Sequence, residues 1–223
     1  NADEWPGTLD KARADVAAFA NAVQASGEQV RLIVRDEYNR GRAAELVVPE
    51  VDLRIHAFGD IWVRDTGPVI VGQGEGRAAR RFGFNFWGGK YDMPGDDVIG
   101  DALAAEAGLP ITPCDWILEG GAIDVDGAGL CVTTEQCLLN PNRNPSLTRE
   151  DIEARLKRDV GVERVLWLGQ GLTNDHTDGH VDNLARFIGP NWLAIPESVK
   201  GDPNCEIYAD ARARAEAFGV SVA

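Results

Sequence analysis

The chain has 223 residues, 44% of them hydrophobic and 26% charged, with 22 Lys and Arg against 36 Asp and Glu for a formal net charge of −14. That is enough apolar material for a real core, in one domain or two small ones. The anionic balance repels phosphate backbones and so disfavours nucleic acid, leaving a small cationic molecule the better partner, and no apolar run approaches the roughly 18 residues of a membrane span.

From the start, Leu9 to Ser26 is alanine-rich with apolar residues at helical spacing, and Gly27 closes it before a strand over Gln29 to Val34. Glu45 to Val48 and Leu53 to His56 read as short strands, and Ile61 to Val71 as an extended stretch broken at Gly67-Pro68. Asp96 to Ala107 reads as a second helix, closed by Gly108. Ile117 to Val125 and Leu130 to Thr134 form a hairpin across Asp126-Gly127, a strong turn signal. A third helix over Leu147 to Asp159 and a strand over Arg164 to Leu168 follow, then Val181 to Ile188 pairs with Trp192 to Ile195 across Gly189-Pro190. The last segment, EIYADARARAEAFGVSVA, reads as a helix leading to a strand that never comes. The recurring order of hairpin, helix and strand suggests a repeat architecture. The polar opening NADEWPGTLDKARAD does not read as a signal peptide. Cys114, Cys131, Cys137 and Cys205 lack CxxC spacing, so they read as free thiols of a cytoplasmic protein and as small core residues.

Chemistry concentrates in a few islands. Asn174 to Asp182, NDHTDGHVD, holds two of the three histidines among alternating acids. Buried carboxylates and imidazoles are costly unless paired, so this stretch is a solvated loop or a functional site. If Gly179 to Ile188 runs as a strand, His180 and Asp182 share one face. Asp60 to Pro68, DIWVRDTGP, sets Trp62, Arg64 and Asp65 before a Gly-Pro break. In Leu118 to Ala122, LEGGA, Glu119 precedes two glycines that allow close approach to a ligand. Gln136 to Pro145, QCLLNPNRNP, is a polar turn carrying Arg143. Separate carboxylates, one histidine and aromatic surface describe a pocket for a planar cation.

Read in order, IWVRDTGP, FNFWGGKY, LEGGAIDVDG, TTEQCLLNPNRNP and NDHTDGHVDNLARF resemble the agmatine deiminase and bacterial peptidylarginine deiminase family. The resemblance implies an α/β fold of pentein type, a propeller of repeated ββαβ units, with residues 1–223 forming one catalytic domain and an incomplete five-fold ring. It implies hydrolysis of a small guanidino compound, agmatine above peptidyl or free arginine, to N-carbamoylputrescine and ammonia in putrescine synthesis, with no metal or cofactor. His180 would be the general acid/base, and Asp65 and Asp182 the carboxylates that grip the guanidinium. Glu119 would pair with His180 and the substrate, Trp62 would pack on the alkyl chain, and His176 would mark the far end of the pocket. Trp87 and Arg143 read as structural, Arg143 being the one basic residue in these islands that could meet a substrate carboxylate. No cysteine here stands in the Gly-rich His-Cys context of the family's nucleophile, so the expectation is a chain cut at both ends, with the nucleophile beyond Ala223 and no activity for this piece alone. A homo-oligomer is compatible with all of this. Two readings of other classes stay open: a metallohydrolase built on His176, His180, Asp178 and Asp182, and a binder that holds a guanidino ligand without turning it over.

Overall fold

The structure, a computed structural model, describes residues 5–91 and 93–223, which form two compact units. One comprises Asn1–Ile61 with Met93–Gly95. Its elements are helix α1 (Leu9–Ala25), strand β1 (Arg31–Val34), helix α2 (Glu37–Ala44) and strand β2 (Asp52–Ile55). β1 and β2 pair in parallel from Arg31 opposite Asp52 to Val34 opposite Ile55. α1 buries Ala17 and Ala20, and Gly27 leaves its end at φ 100°, as the glycine in the sequence suggests. α2 is not anticipated by hydrophobic spacing, because none of its residues is buried. It starts where the Asp36 carboxylate accepts the Asn39 N–H at 2.8 Å. The expected strand over Glu45 to Val48 is instead a turn that closes α2, with the Val47 N–H on the Ala43 carbonyl.

The second unit, Trp62–Asp92 with Asp96–Ala223, carries the repeat. After the short helix α3 (Val63–Thr66) come strands β3 (Val69–Val71) and β4 (Ala78–Gly83), the turn α4 (Phe86–Gly89), helix α5 (Ile99–Glu106) and strand β5 (Ile111–Ile117). Next are β6 (Ile123–Val125), β7 (Leu130–Thr134), the short helix α6 (Glu135–Leu138), α7 (Arg149–Asp159) and β8 (Arg164–Leu168). The last set is β9 (Arg186–Gly189), β10 (Trp192–Ala194), α8 (Cys205–Phe218) and β11 (Ser221–Val222). In each three-stranded sheet the first two strands are antiparallel and the third joins the second in parallel after a helix, which is ββαβ three times over. The expected repeat is therefore present, and the strand that the sequence reads as missing after α8 does form, as the two-residue β11, parallel to β10.

The central sheet explains why the repeats stack. Along β7 and β8, Cys131, Val165 and Trp167 join one core with Ile152 and Leu156 of α7. Alternating with them, Leu130, Val132, Leu166 and Leu168 join a second core with Leu193 of β10 and Ala211 and Ala215 of α8. A strand whose neighbours along the chain face opposite ways, both apolar, must be covered on both sides. Asp126 closes the β6–β7 hairpin by accepting the N–H groups of Ala128 and Leu130, with Gly127 at φ 74°. Thr148 and Asp151 start α7 with a reciprocal capping box. No helix among the described residues is long and apolar enough to cross a membrane.

Candidate functional site

Each repeat is led in by a short helical turn just before its first strand. These are α3 (Val63–Thr66), and the 3-10 turns Gly120–Ala122 and Val181–Asn183. The first packs on the second and the second on the third. The chemical islands of the sequence lie on these turns, so stacking the repeats brings together residues far apart in the chain. Asp65 comes from the first turn, Glu119 caps the second, and His180 caps the third with Asp182 inside it.

At the centre is Gly121. A Cβ built there would lie 2.5 Å from His180 Nδ1, 2.7 Å from Asp65 Oδ1 and 2.8 Å from Asp182 Oδ2, so only glycine lets these three groups converge. The Gly121 N–H donates to Asp65 Oδ1 at 2.9 Å, and the same oxygen stands 3.6 Å from His180 Nδ1. Asp65 Oδ2 accepts the indole N–H of Trp87 at 2.9 Å. Burial, with Asp65 as a like-charged neighbour, raises the Asp182 carboxyl above its ordinary range against the opposing pull of His180. His180 is 2% exposed. Its loop is held by Asp175, whose carboxylate accepts the N–H groups of Thr177, Gly179 and His180 and the Thr177 hydroxyl. Burial works against the Asp175 charge, but those donors and the nearby imidazole keep its carboxyl below the ordinary range.

Glu119 is fully buried, and its Oε1 accepts Arg143 Nε at 2.7 Å with both side chains 0% exposed. The Glu119 partner is thus Arg143, where the sequence reading paired it with His180. Glu119 and His180 are nevertheless neighbours, since a carboxylate oxygen, a ring nitrogen and Cys137 Sγ all lie within 4.8 Å of one another. Arg143 also donates Nη1 to Asp178 Oδ2 at 2.7 Å and Nη2 to the Thr177 carbonyl at 2.9 Å. Among the described residues, the buried atoms Glu119 Oε2 and His180 Nε2 have no hydrogen-bond partner. An atom of this kind costs about 1–3 kcal/mol unless a water or a ligand meets it.

The expected strand over Val181 to Ile188 begins only at Arg186, because residues 181–183 form a 3-10 turn. His180 and Asp182 therefore meet across a turn around Gly121, rather than on one face of a strand. Trp62 precedes α3 and is 54% exposed, a flat apolar surface beside Asp65's helix. His176 stands apart from the His180 cluster: its Nδ1 meets the Tyr91 hydroxyl at 2.8 Å and its carbonyl accepts Lys90 Nζ. Asp178 is taken up by Arg143, Asn142 and Lys90. His176, His180, Asp178 and Asp182 thus do not form a common ligand set. Among the described residues the one group with metal-ligand spacing is Glu119, Cys137 and His180. It suits a cation poorly, because the Arg143 guanidinium already holds that carboxylate and burial pushes the Cys137 thiol far up, keeping it protonated.

Trp87, Arg143 and Gly121 are the site residues that sequence reading undervalued. The only local hints were the double glycines of FNFWGG and LEGGA, and a lone arginine in NPNRNP with no acid near it in the chain. An apolar cavity of about 510 Å³ in the first unit, lined by Leu9, Val16, Leu32 and Phe58 among others, holds none of the candidate residues, so chemistry and not volume locates the site.

A family model described as Porphyromonas-type peptidyl-arginine deiminase matches residues 1–220. Among curated proteins, the chain is 41% identical over 215 residues to an agmatine deiminase of Pseudomonas fluorescens, covering 91% of this chain and 57% of that protein. It is 41% identical over 210 residues to an agmatine deiminase of Stutzerimonas stutzeri, covering 91% and 57%. Among solved structures, the agmatine deiminase of Enterococcus faecalis superposes with a TM-score of 0.86 at 30% identity, covering 97% of this chain and 62% of that one. The chain thus spans less than two thirds of the length of each of these relatives.

Proposed function

We propose that this chain, which belongs to the Porphyromonas-type peptidyl-arginine deiminase family and has its pentein-type fold, is the part of an agmatine deiminase that binds the guanidinium group and handles its protons. The observation that carries the reading is the convergence of Asp65, Asp182 and His180 on Gly121, with Glu119 beside the imidazole. Two carboxylates flanking one imidazole suit a planar cation that offers N–H groups at both edges. Binding holds the guanidinium carbon in place for attack, which a guanidinium free in water resists.

In the proposed reaction a cysteine thiolate from outside these 223 residues forms a C–S bond to the guanidinium carbon. His180 protonates the departing nitrogen, and the C–N bond breaks to release ammonia. His180 then takes one proton from water as the hydroxide oxygen adds to the same carbon, and the C–S bond breaks as the remaining hydroxyl proton is lost to solvent, giving N-carbamoylputrescine and the thiolate. Within this chain, burial holds the Cys131 and Cys137 thiols far above their ordinary range, and burial together with Asp159 pushes Cys114 up to about 11, so none of these is poised as that thiolate.

Agmatine is favoured over arginine because Arg143, the basic residue that could meet an α-carboxylate, is fully buried and spent on Glu119 and Asp178. The four free thiols suit a reducing cytoplasm. The test compares ammonia release from agmatine, arginine and a blocked arginine peptide by the full-length protein. Agmatine should be turned over fastest, and a preference for the peptide would sink the assignment.

A further inference from the structure

The backbone from Phe86 to Gly89 runs through four successive residues at positive φ, of which Phe86 (58°) and Trp87 (54°) are not glycine. L residues with large side chains rarely adopt this conformation, and where they do the surroundings hold them there for a reason. Here the surroundings are specific. Asn85 accepts the Gly88 N–H at 3.0 Å and donates its own amide to the Asn142 carbonyl at 2.8 Å. A Cβ on Gly88 would fall 2.4 Å from Asn142 Nδ2 and 2.6 Å from Arg143 Nη1, so the turn is pressed against Asn142 and against Arg143, the partner of Glu119. The Trp87 ring lies edge-on to Phe84 at 4.9 Å and to Tyr91 at 5.9 Å and is 3% exposed.

The product of this conformation is one hydrogen bond, from Trp87 Nε1 to Asp65 Oδ2 at 2.9 Å. Gly121 N–H supplies the matching donor to Oδ1. With one donor fixed on each oxygen the plane of the carboxylate is set, and Oδ1 is the oxygen left facing His180 Nδ1 at 3.6 Å. We propose that Trp87 is a positioning residue: its indole N–H, delivered by the left-handed turn, fixes the Asp65 carboxylate in the orientation that serves His180 and the guanidinium. Its relevance to agmatine rests on the function proposed above, but the orientation of Asp65 does not.

The experiment is a double-substitution cycle with Trp87→Phe, which keeps the ring contacts and removes the N–H, and Asp65→Asn, with agmatine binding read by calorimetry. Trp87→Phe alone should weaken binding roughly tenfold, the scale of losing one hydrogen bond to a charged group, and should cost much less in the Asp65→Asn background, where the one amide oxygen left is a weaker, uncharged acceptor. An equal loss in both backgrounds would make Trp87 a packing residue and overturn the proposal. The indole N–H resonance of Trp87, assigned among the six tryptophans, gives a ligand-free readout. It should lie downfield in the unsubstituted protein and move upfield in Asp65→Asn; a resonance indifferent to that substitution overturns the proposal whether or not agmatine binds. If the unsubstituted protein binds no agmatine while the resonance moves as stated, the functional reading fails and the positioning of Asp65 stands.

Discussion

Replacing Gly121 with alanine adds a single methyl group at the point where the three lead-in turns meet. Gly121 needs no left-handed backbone, so the effect is one of space. To regain an ordinary separation of about 3.4 Å from that methyl, His180 Nδ1, Asp65 Oδ1 and Asp182 Oδ2 must recede by about 0.6–0.9 Å. The side chains are anchored elsewhere, Asp65 by Trp87 and the His180 loop by Asp175, so the movement opposes existing hydrogen bonds. Overpacking of this size costs about 1–3 kcal/mol of stability. Displacing catalytic groups by about 1 Å costs roughly a hundredfold in rate. We therefore expect Gly121→Ala to lower the urea midpoint moderately and to weaken agmatine binding far more than the fold. Urea unfolding and calorimetry on the same preparation separate the two effects. A variant that binds agmatine as tightly as the unsubstituted protein would show that Asp65, Asp182 and His180 do not act around Gly121 as one site.

Arg143→Met should destabilise the fold by about 3–5 kcal/mol in urea unfolding, because it strands the Glu119 carboxylate at 0% exposure; adding Glu119→Leu should restore much of the loss. Asp182 is a group whose folded pKa is raised by burial and by Asp65, so its contribution to stability is present below the unfolded pKa and is lost as pH rises through the folded one. Asp182→Asn should accordingly raise Tm at pH 7, leave it nearly unchanged at acid pH, and lower agmatine affinity; a uniform Tm shift across pH would contradict the assigned burial. Leu156→Ala, in the core that α7 shares with β8 at 0% exposure, should cost about 2–5 kcal/mol with agmatine affinity in the folded protein unchanged.

The sequence by itself determined what depends on neighbours along the chain. α1, α7, β8 and the Asp126-Gly127 hairpin lie close to where spacing, caps and turn residues put them, and the order of hairpin, helix and strand is realised in three sheets. The islands holding Asp65, Glu119, His180 and Asp182 are also legible as places where ionisable groups gather, because buried charge is costly unless it is paired. Periodicity failed where tertiary contacts dominate. β4 sits between β3 and β5 through pairings that leave no local pattern. Residues 181–183 alternate like a strand yet turn, with Asp182 beside Gly121 of the second repeat, where Asp65 of the first also converges. Only the tertiary structure paired Trp87 with Asp65 across 22 positions and Arg143 with Glu119 across 24. Each of those pairings lies within one repeat, where the turns after β4 and after α6 fold back toward the lead-in turns, while burial of Leu130, Val132, Leu166 and Leu168 between the second and third repeats draws the lead-in turns of those two together. The polar residues on those turns must then satisfy one another or a ligand.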